Sequence, residues 1–512
     1  MSRCGTSALR SLLITDYPVP VNSPDWKSDY RVWLPLMLAA WLLAWLARDP
    51  FISDWDGFDY AACVVQGTPS VLGLGRALFL AYNRVLWLVA HYGFGLPPEQ
   101  SYLLIKAGVI AQSGPAVVGL YALYKELTAD HLAAALASLL IVLSPLYIVY
   151  SGRGMSEIPG ILWWSWSLWL MLRSLRQGRT GLYFLAAVLF GLSANVREFA
   201  VFYLPVVVIA GWLYGLRWIV SLVAGAVAAI AALAGPLFWS LSWPDFYLPA
   251  VRTWYQLSAQ ERREHPVTIR NLWLLVAYAF LCSSVATLII PVAWRRIYSK
   301  LFLEQPKLAE AQRVMILIGF FGLLSVLVLI GNHDLAVNPR YLLTGLIGLA
   351  PLCGWWLSEW MKQAVQWREW KLAALVVLTL ISLSGTGIYL QTVQWPQTEA
   401  ARVYAATISA LPDNAVFIVG RRTPLVNFYH QTGARPNWQA IPFGAGWPDD
   451  GLEAVIDSHL AEGQPVYVDF DEKLWNEGMR DHSREAAGLG MIRQHCQLEL
   501  VKDSLYRLSK KQ

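Results

Sequence analysis

Long apolar segments alternate with short polar ones along the first 390 positions of the chain. About eleven of these segments approach the ~20 residues that a helix needs to cross a bilayer. Their approximate spans are 31–47, 101–124, 132–150, 156–174, 182–196, 199–214, 218–240, 271–294, 313–331, 340–359 and 371–390. The pattern therefore predicts a polytopic α-helical membrane protein.

The pattern changes after residue 390. "NAVFIVG" and "QPVYVDFD" alternate apolar and polar positions as short strands do, whereas "EAARVYAATISALP" and "DDGLEAVIDSHLAEG" have the spacing of amphipathic helices. We therefore predict two domains, a membrane module at 1–390 and a small α/β domain at 391–512. The second is expected to hold no catalytic residue. Its charged residues are expected to be solvated, including Arg421, Arg422, Asp449 and Asp450.

Composition supports the membrane interpretation. The chain is 56% hydrophobic and only 15% charged, whereas soluble domains carry about 25% charged residues. A soluble protein of this composition would have too few polar residues to cover its surface. The net charge of +5 is modest and does not indicate a nucleic-acid partner. The five cysteines are scattered and form neither a CxxC pair nor a disulfide framework.

The distribution of lysine and arginine predicts the orientation in the membrane. If the N-terminus lies in the cytoplasm, the basic residues of the even-numbered loops all fall on that side, as the positive-inside rule requires. These residues are Lys125, Arg173, Arg176, Arg179, Arg217, Arg295, Arg296, Lys300, Lys307, Lys362 and Arg368. An odd number of spans then places residues 391–512 outside the cytoplasm.

Three aspartates follow the first predicted span closely, in the stretch "FISDWDGFDY". Asp56 and Asp59 are three positions apart, so on a helix they share a face. A carboxylate there can accept a proton from an attacking hydroxyl, or can help to hold a divalent cation through oxygen ligands. Asp54 is instead expected to stabilise a turn by accepting backbone hydrogen bonds.

Four arginines lie at predicted outer helix ends, where the orientation rule disfavours them: Arg76, Arg153, Arg197 and Arg340. Any one of them can extend its side chain to the lipid headgroups. Charged groups at membrane depth usually face a cavity or a partner, and the arginine fork pairs well with phosphate. Because acidic residues occur in the same layer, the four together favour a site for a phosphate-bearing lipid.

These motifs resemble the GT-C glycosyltransferases, polytopic enzymes that use polyprenyl-phosphate-linked sugars. The most similar branch is glycosyltransferase family 39, with the protein O-mannosyltransferases and the lipid A aminoarabinose transferases. The matching positions are Asp56 and Tyr60 in "DGFDY", Arg76 in "GRALF", Glu157 in "MSEIP", Arg197 in "FGLSANVRE", and Arg340 with Tyr341 in "NPRYLL". The resemblance covers roughly residues 31–360, both in the order of the motifs along the chain and in the predicted membrane topology.

Two of these motifs depart from the family pattern. The family often has Asp-Glu where this chain has Asp56 followed by Gly57, and "GRALF" lacks the two prolines that often follow the basic residue. Some GT-C members bind a divalent cation at the acidic external loop, while family 39 does not generally require one. We therefore assign no metal ligand, and a cation at this loop is left open.

The resemblance implies a bacterial inner-membrane enzyme that transfers a hexose or pentose from a polyprenyl-phosphate donor to an acceptor hydroxyl. The transfer would take place outside the cytoplasm and with inversion. Asp56 would be the general base, and the arginines with Tyr341 would bind the lipid phosphate. Glu157 and Asp59 would position sugar or acceptor, with Tyr60 and Arg153 in the same substrate-binding set. Membrane lipids would surround the enzyme, and the acceptor would be a glycan, a lipid or a protein.

A transporter or flippase for lipids or lipid-linked glycans is the alternative function. Such a protein also keeps arginines and carboxylates in an internal cavity. Transporters often contain inverted repeats and helices broken near the membrane midplane. Neither is apparent in this sequence, and the charged residues lie at helix ends, so the enzyme is favoured.

Overall fold

The computed structural model describes residues 26–52, 55–72, 76–264, 274–275, 289–295, 310–332, 338–362, 368–419, 422–442, 451–470 and 482–511. The chain divides into two compact units. The first contains residues up to 48, 69–82 and 106–393, and the second contains 49–68, 83–105 and 394–512. Most of the predicted span 271–294 lies outside the described residues, as do Asp54, Arg421, Asp449 and Asp450.

Helices account for most of the described residues. They are α1 (Tyr30–Leu46), α2 (Trp55–Gln66), α3 (Ala77–Phe94), α4 (Ser101–Thr128), α5 (His131–Val142), α6 (Pro145–Ser151), α7 (Glu157–Arg176), α8 (Thr180–Ser193), α9 (Leu204–Leu213), α10 (Trp218–Ser242), α11 (Tyr247–Glu264), α12 (Glu310–Asn332), α13 (Tyr341–Lys362), α14 (Arg368–Tyr389), α15 (Trp395–Ser409), α16 (Thr423–Gln431), α17 (Gly451–Ala461) and α18 (His482–His495). Short 3₁₀ helices cover Lys27–Asp29, Pro98–Gln100 and Glu198–Tyr203, and a π-helical turn covers Leu390–Gln394.

Several of these helices are suited to a bilayer. Among the described residues, four helical segments are long and apolar enough to cross it: Pro98–Thr128, Trp218–Ser242, Glu310–Gly331 and Tyr341–Lys362. The pair α5 and α6, bent by 63°, makes a fifth if it is counted as one span. Other predicted spans coincide with shorter helices such as α8 and α9, which fall below the ~20 residues of a full crossing. The protein is thus an integral membrane protein, and the predicted number of spans stays a prediction.

Helix α13 lies at the centre of the first unit, packed against α12 and α5. Its glycines allow this approach, because a Cβ at Gly348 would lie 2.8 Å from the Ile318 carbonyl oxygen and one at Gly354 would lie closer still to that of Ala133. Small residues of this kind let membrane helices gain van der Waals contact where lipid offers no hydrophobic driving force. The close packing fixes the position of the chain that enters α13.

Two buried tyrosines anchor the first half of α13. The Tyr203 hydroxyl donates to the Thr344 carbonyl oxygen at 2.6 Å, and the Tyr124 hydroxyl donates to that of Ile347 at 2.7 Å. Tyr203 ends the 3₁₀ helix that begins at Glu198. The chain around residue 198 is therefore held against the start of α13.

A second group of helix ends, which includes the C-terminal ends of α4, α7 and α13, is joined by ion pairs. The pairs are Lys125 with Asp29, Arg176 with Glu126 at 3.2 Å, and Lys362 with Asp130 at 2.7 Å. These helix ends are the ones that the charge pattern assigns to one side of the membrane. The contacts thus bring together helix ends that were predicted to lie on one side of the membrane. That this side is the cytoplasmic one stays a prediction.

The second unit contains a five-stranded sheet. Its strands are β1 (Val416–Val419), β2 (Gln439–Pro442), β3 (Val466–Asp469), β4 (Cys496–Lys502) and β5 (Leu505–Lys510), in the order β2-β1-β3-β5-β4. Strand β1 runs parallel to β2 and β3, while β5 is antiparallel to both β3 and β4. Strands β1 and β3 lie where the sequence alternation predicted them.

Helix α2 packs within this second unit, against α16. The rings of Phe58 and Phe428 lie 5.8 Å apart, and the Gln394 amide donates to the buried Asp49 carboxylate. Residues that follow the first predicted span thus share a compact unit with residues after 394. The predicted division into domains 1–390 and 391–512 stays a prediction.

The expectation that Arg422 is solvated was wrong. Its side chain is only 14% exposed and donates to the buried Asp469 carboxylate at 2.6 Å. Its guanidinium carbon lies 3.7 Å from the centre of the Tyr404 ring. Asp469 ends β3 and Arg422 follows β1 closely, so parallel pairing brings the two charges together in a way that local sequence does not reveal.

We predict that Asp130 stabilises the first unit through both its charge and its cap. Its carboxylate accepts from the Leu132 amide at 3.0 Å, from the Ser358 hydroxyl at 2.6 Å and from Lys362. Replacement by asparagine keeps a good helix cap, whereas replacement by alanine removes it, at a cost of about 1 kcal/mol. The melting temperature in detergent at pH 7 should therefore fall in the order parent, Asp130→Asn, Asp130→Ala. Equal melting temperatures for all three would contradict the role.

The stabilisation that the Asp130 charge gives to the folded protein should also depend on pH. Burial raises the pKa of Asp130, but the hydrogen bonds from Lys362 and Ser358 outweigh burial and leave the pKa below its usual value. A carboxyl group whose pKa is lower in the folded protein stabilises the folded state at pH values above its unfolded-state pKa of about 3.9. That stabilisation is lost as the pH falls through the pKa of the folded state. The difference in melting temperature between the parent and Asp130→Asn should be constant above about pH 5 and shrink below about pH 4.

Candidate active site

A cluster of buried charged side chains lies in the first unit. Arg76, Arg197, Arg340 and Glu157 are each less than 9% exposed. They come from four separate segments of the chain, and each was singled out from the sequence. Charged groups within a membrane protein are costly unless they are paired or face a cavity. Their burial therefore requires specific partners.

Glu157 joins two of the arginines. Its Oε1 atom lies 2.8 Å from Arg197 Nη2 and 3.6 Å from Arg340 Nε. The guanidinium of Arg340 also lies over the ring of Tyr341, 5.7 Å from its centre. Two arginines that are distant in sequence thus converge on one carboxylate.

Arg76 joins the same cluster through Ser156 and Glu198. Its Nη2 atom lies 3.2 Å from Glu198 Oε1, and its Nη1 atom donates to the Ser156 hydroxyl at 3.2 Å. Arg197 donates to the same hydroxyl at 3.3 Å, and its Nε atom lies 3.8 Å from Glu198 Oε1. Three guanidinium groups and two carboxylates are therefore linked directly or through one hydroxyl.

The helix ends place these groups. Glu157 is the first residue of α7, and Arg197 lies in extended backbone before the 3₁₀ helix Glu198–Tyr203. These segments approach closely at Gly160, where a Cβ would lie 2.5 Å from the Cβ of Arg197. Glycine at this position lets the chain that carries Arg197 lie directly against the first turn of α7.

Asn195 ties the Arg197 segment to the Arg76 segment. Its carbonyl oxygen accepts from the amides of Leu78 and Phe79, in the first turn of α3, at 3.1 and 3.4 Å. Arg76 immediately precedes α3 and has a φ of +45°, in the left-handed region that residues with a side chain rarely adopt. Such conformations cost about 1–3 kcal/mol and are concentrated at functional sites.

A small cavity borders the cluster. Its volume is about 20 Å³, which is close to that of one water molecule. Glu157, Arg197, Glu198, Arg340 and Tyr341 line it together with apolar side chains from α7, α12 and α13. A cavity lined by both arginines and apolar groups suits an amphipathic ligand with an anionic end.

Asp56 and Asp59, after the first predicted span, belong to the second unit. Asp56 lies in the first turn of α2 and is 8% exposed. It accepts a hydrogen bond from the buried Tyr60 hydroxyl at 3.3 Å, one helical turn later. Asp59 lies on the same helix and accepts from the Cys63 thiol at 3.8 Å. The predicted pairing of Asp56 with Tyr60 thus exists as a contact.

Arg153 lies in the turn that follows α6. It is 8% exposed, and its guanidinium carbon is 5.0 Å from the centre of the Tyr150 ring. This places the positive charge over a π face, which attracts cations. Its membership of the substrate-binding set stays a prediction.

Sequence reasoning missed Ser156 and Glu198. Both are direct neighbours of residues that it did select, Glu157 in "MSEIP" and Arg197 in "NVRE". An acidic residue beside an arginine at a predicted outer helix end was an available signal for Glu198. Nothing in the local sequence distinguishes Ser156 from an ordinary helix cap.

Metal binding at the acidic loop stays open. Within the described ranges, no group of three or more histidine, cysteine, aspartate or glutamate side chains is arranged to hold a metal ion. Asp54, one of the three aspartates of this loop, lies outside those ranges.

A family comparison connects part of this site with known enzymes. The sequence model of the dolichyl-phosphate-mannose-protein mannosyltransferases matches residues 102–243, which is less than half of the chain. The matched region contains Ser156, Glu157, Arg197 and Glu198. Comparison with curated protein sequences gives no significant match.

Solved structures extend the comparison to most of the chain. The oligosaccharyltransferase of Archaeoglobus fulgidus in its apo form has a TM-score of 0.56 at 11% identity, covering 87% of this chain and 70% of its own. The oligosaccharyltransferase AglB from Archaeoglobus fulgidus, in complex with an inhibitory peptide and a dolichol-phosphate, has a TM-score of 0.53 at 11% identity, covering 88% of this chain and 70% of its own. ArnT from Cupriavidus metallidurans, bound to undecaprenyl phosphate, has a TM-score of 0.51 at 12% identity, covering 94% and 98%. The resemblance to GT-C glycosyltransferases that the sequence indicated is thereby confirmed.

Proposed function

We propose that this chain, which has the fold of the GT-C glycosyltransferases, transfers a sugar from a polyprenyl-phosphate-linked donor to an acceptor hydroxyl. The observation that carries the proposal is the buried cluster of Arg76, Arg197 and Arg340 in a membrane protein of this fold. The family match and the fold support a lipid-linked sugar transferase. The sugar is a hexose or pentose, and the acceptor is a glycan, a lipid or a protein.

The composition of the cluster favours an anionic ligand. Its three guanidinium groups exceed its two carboxylates, Glu157 and Glu198, by one positive charge. A phosphate group is the anion that the planar arginine fork binds best, through paired charge-assisted hydrogen bonds. The cavity has room for about one water. A lipid phosphate therefore competes with the glutamates for the arginine donors as it enters.

Similar structures support the same class of ligand. AglB is in complex with a dolichol-phosphate, and ArnT is bound to undecaprenyl phosphate. Both ligands combine a phosphate with a long apolar chain. The apolar side chains that line the same cavity, Leu329, Leu343 and Ile347 among them, have the matching chemistry.

In the proposed reaction, Asp56 accepts the proton of the acceptor hydroxyl. The hydroxyl oxygen forms a bond to the anomeric carbon from the face opposite the phosphate, and the bond from that carbon to the phosphate oxygen breaks. The lipid phosphate leaves with the bonding electron pair, so the configuration inverts. Arg76, Arg197 and Arg340 stabilise the charge that develops on the leaving oxygen, as preorganised donors do.

The remaining selected residues have supporting roles in this proposal. Tyr341 donates a hydrogen bond to the phosphate, and Arg153 adds positive charge. Glu157 and Asp59 position the sugar or the acceptor. Tyr60 orients the Asp56 carboxylate through the hydrogen bond that joins them.

We predict that the purified protein binds undecaprenyl phosphate and not undecaprenol. The two lipids share the apolar chain, so a difference between them reports the phosphate alone. A ligand that binds the folded state raises the melting temperature with its concentration. Undecaprenyl phosphate should raise it in the parent, and Arg340→Gln should need about tenfold more lipid for the same rise, as expected for loss of a charged hydrogen bond. Equal shifts with both lipids would contradict the proposal.

Replacement of Asp56 by asparagine should abolish transfer while leaving the fold and lipid binding intact. Asparagine preserves the size of the side chain and can accept from Tyr60, but it cannot take up the proton. Loss of a general base lowers the rate by about 10²–10⁴-fold. The measurement is transfer of radiolabelled sugar in membranes that express the variant, with Asp503→Asn in the exposed turn between β4 and β5 as the matched control. Transfer by Asp56→Asn near the parental rate would exclude this role for Asp56.

We further propose that the protein lies in the bacterial inner membrane with its N-terminus in the cytoplasm and residues 391–512 outside. The distribution of lysine and arginine supports this orientation. In sealed inverted vesicles, protease added to the exposed cytoplasmic face should leave an epitope at the C-terminus intact, and detergent should make it cleavable. Cleavage without detergent would reverse the orientation and move the transfer reaction to the cytoplasmic side.

A further inference from the structure

Ser156 occupies an unusual position in the arginine cluster. Its hydroxyl oxygen accepts from Arg76 Nη1 at 3.2 Å and from Arg197 Nη1 at 3.3 Å, and the residue is fully buried. A serine hydroxyl has two acceptor lone pairs, so these two contacts use its acceptor capacity. Two like-charged guanidinium groups are thus held at one neutral oxygen.

The same residue is the N-cap of α7, but its side chain makes no capping hydrogen bond. Serine is favoured at this position because its oxygen normally accepts from an amide in the first turn. Ser144, the cap of α6, shows that normal use, accepting from the Tyr147 amide at 3.2 Å. The hydroxyl of Ser156 is instead directed to the arginines, so its contribution lies in the cluster rather than in the helix.

The contacts of Arg197 show why such a link matters. Its Nη1 atom donates to Ser156, its Nη2 atom lies 2.8 Å from Glu157, and its Nε atom lies 3.8 Å from Glu198. All three nitrogens of the guanidinium therefore face groups of the protein. Arg197 is consequently fixed in orientation, and Ser156 extends that fixed orientation to Arg76.

We propose that Ser156 is a positioning residue that sets the separation and orientation of Arg76 and Arg197 for phosphate binding. The inference rests on the proposed function, because it assigns the role to the same phosphate site. Two cations repel each other, and a shared neutral acceptor holds them together without neutralising either. The serine adds no negative charge, so the cluster keeps the one positive charge by which its three arginines exceed Glu157 and Glu198.

Thermal shift titrations with undecaprenyl phosphate test this role in the full-length protein. Ser156→Ala should weaken binding about tenfold, since hydrogen bonds to charged groups are among the stronger ones and both are lost. Its melting temperature without lipid should also fall below that of Ser193→Ala, because Ser156→Ala loses two hydrogen bonds to charged groups and Ser193→Ala loses one to a neutral carbonyl. Ser193 is the matched control, being a buried serine whose hydroxyl donates only to the Phe190 carbonyl among the described contacts.

A second variant keeps the test decisive if alanine disturbs the packing. Ser156→Cys retains a side chain of similar size, but a thiol is a weak acceptor. It should therefore weaken lipid binding as alanine does, while Ser193→Cys should not. Parental binding by Ser156→Cys would overturn the inference, as would equal weakening of lipid binding by the Ser193 variants.

A double variant distinguishes action through the arginine from an independent effect. Residues that act through one another have non-additive effects, whereas independent residues have additive ones. In an Arg76→Gln background, Ser156→Ala should therefore weaken binding by clearly less than tenfold. A full tenfold effect in that background would overturn the positioning role but leave the proposed function standing. Failure of the parent to prefer undecaprenyl phosphate over undecaprenol would overturn both.

Discussion

The cost of burying positive charge is the constraint on which the first unit depends. An arginine removed from water must meet carboxylates, hydroxyls or a ligand, because isolated charge in an apolar environment is strongly unfavourable. Arg76, Arg197 and Arg340 satisfy this requirement together, through Glu157, Glu198 and one serine. No single helix could supply these partners. The helix ends that carry them must therefore meet at one point.

The packing of the first unit follows from that requirement. Close contact through glycines places α13 against α12 and α5, and Tyr203 links α13 to the segment that begins at Glu198. Asn195 joins that segment to the first turn of α3. The site is therefore positioned by the hydrogen bond from the Tyr203 hydroxyl to the backbone of α13 and by those from two α3 amides to the Asn195 carbonyl oxygen. In the proposed function, this arrangement preorganises positive charge for an anionic lipid headgroup.

The second unit shows the same dependence on contacts between distant segments. Helix α2, which carries Asp56, packs through Phe58 against α16, far along the chain. The Arg422–Asp469 pair arises because β1 and β3 are parallel neighbours. The proposed general base is thus built on a unit that includes the sheet, so residues 394–512 help to determine its surroundings even where they supply no catalytic group.

The sequence by itself determined the class of the protein, most helix positions, strands β1 and β3, and the arginines that the structure later brings together. Hydrophobic periodicity and charge placement are local properties, so they can be read without contacts. Only the tertiary structure decided which carboxylate each arginine meets, that Ser156 serves two arginines instead of capping α7, and that Arg422 is paired with Asp469 instead of being solvated. Those outcomes depend on groups that are distant in sequence, and the free energy of burying a charge is set by such groups rather than by neighbours along the chain.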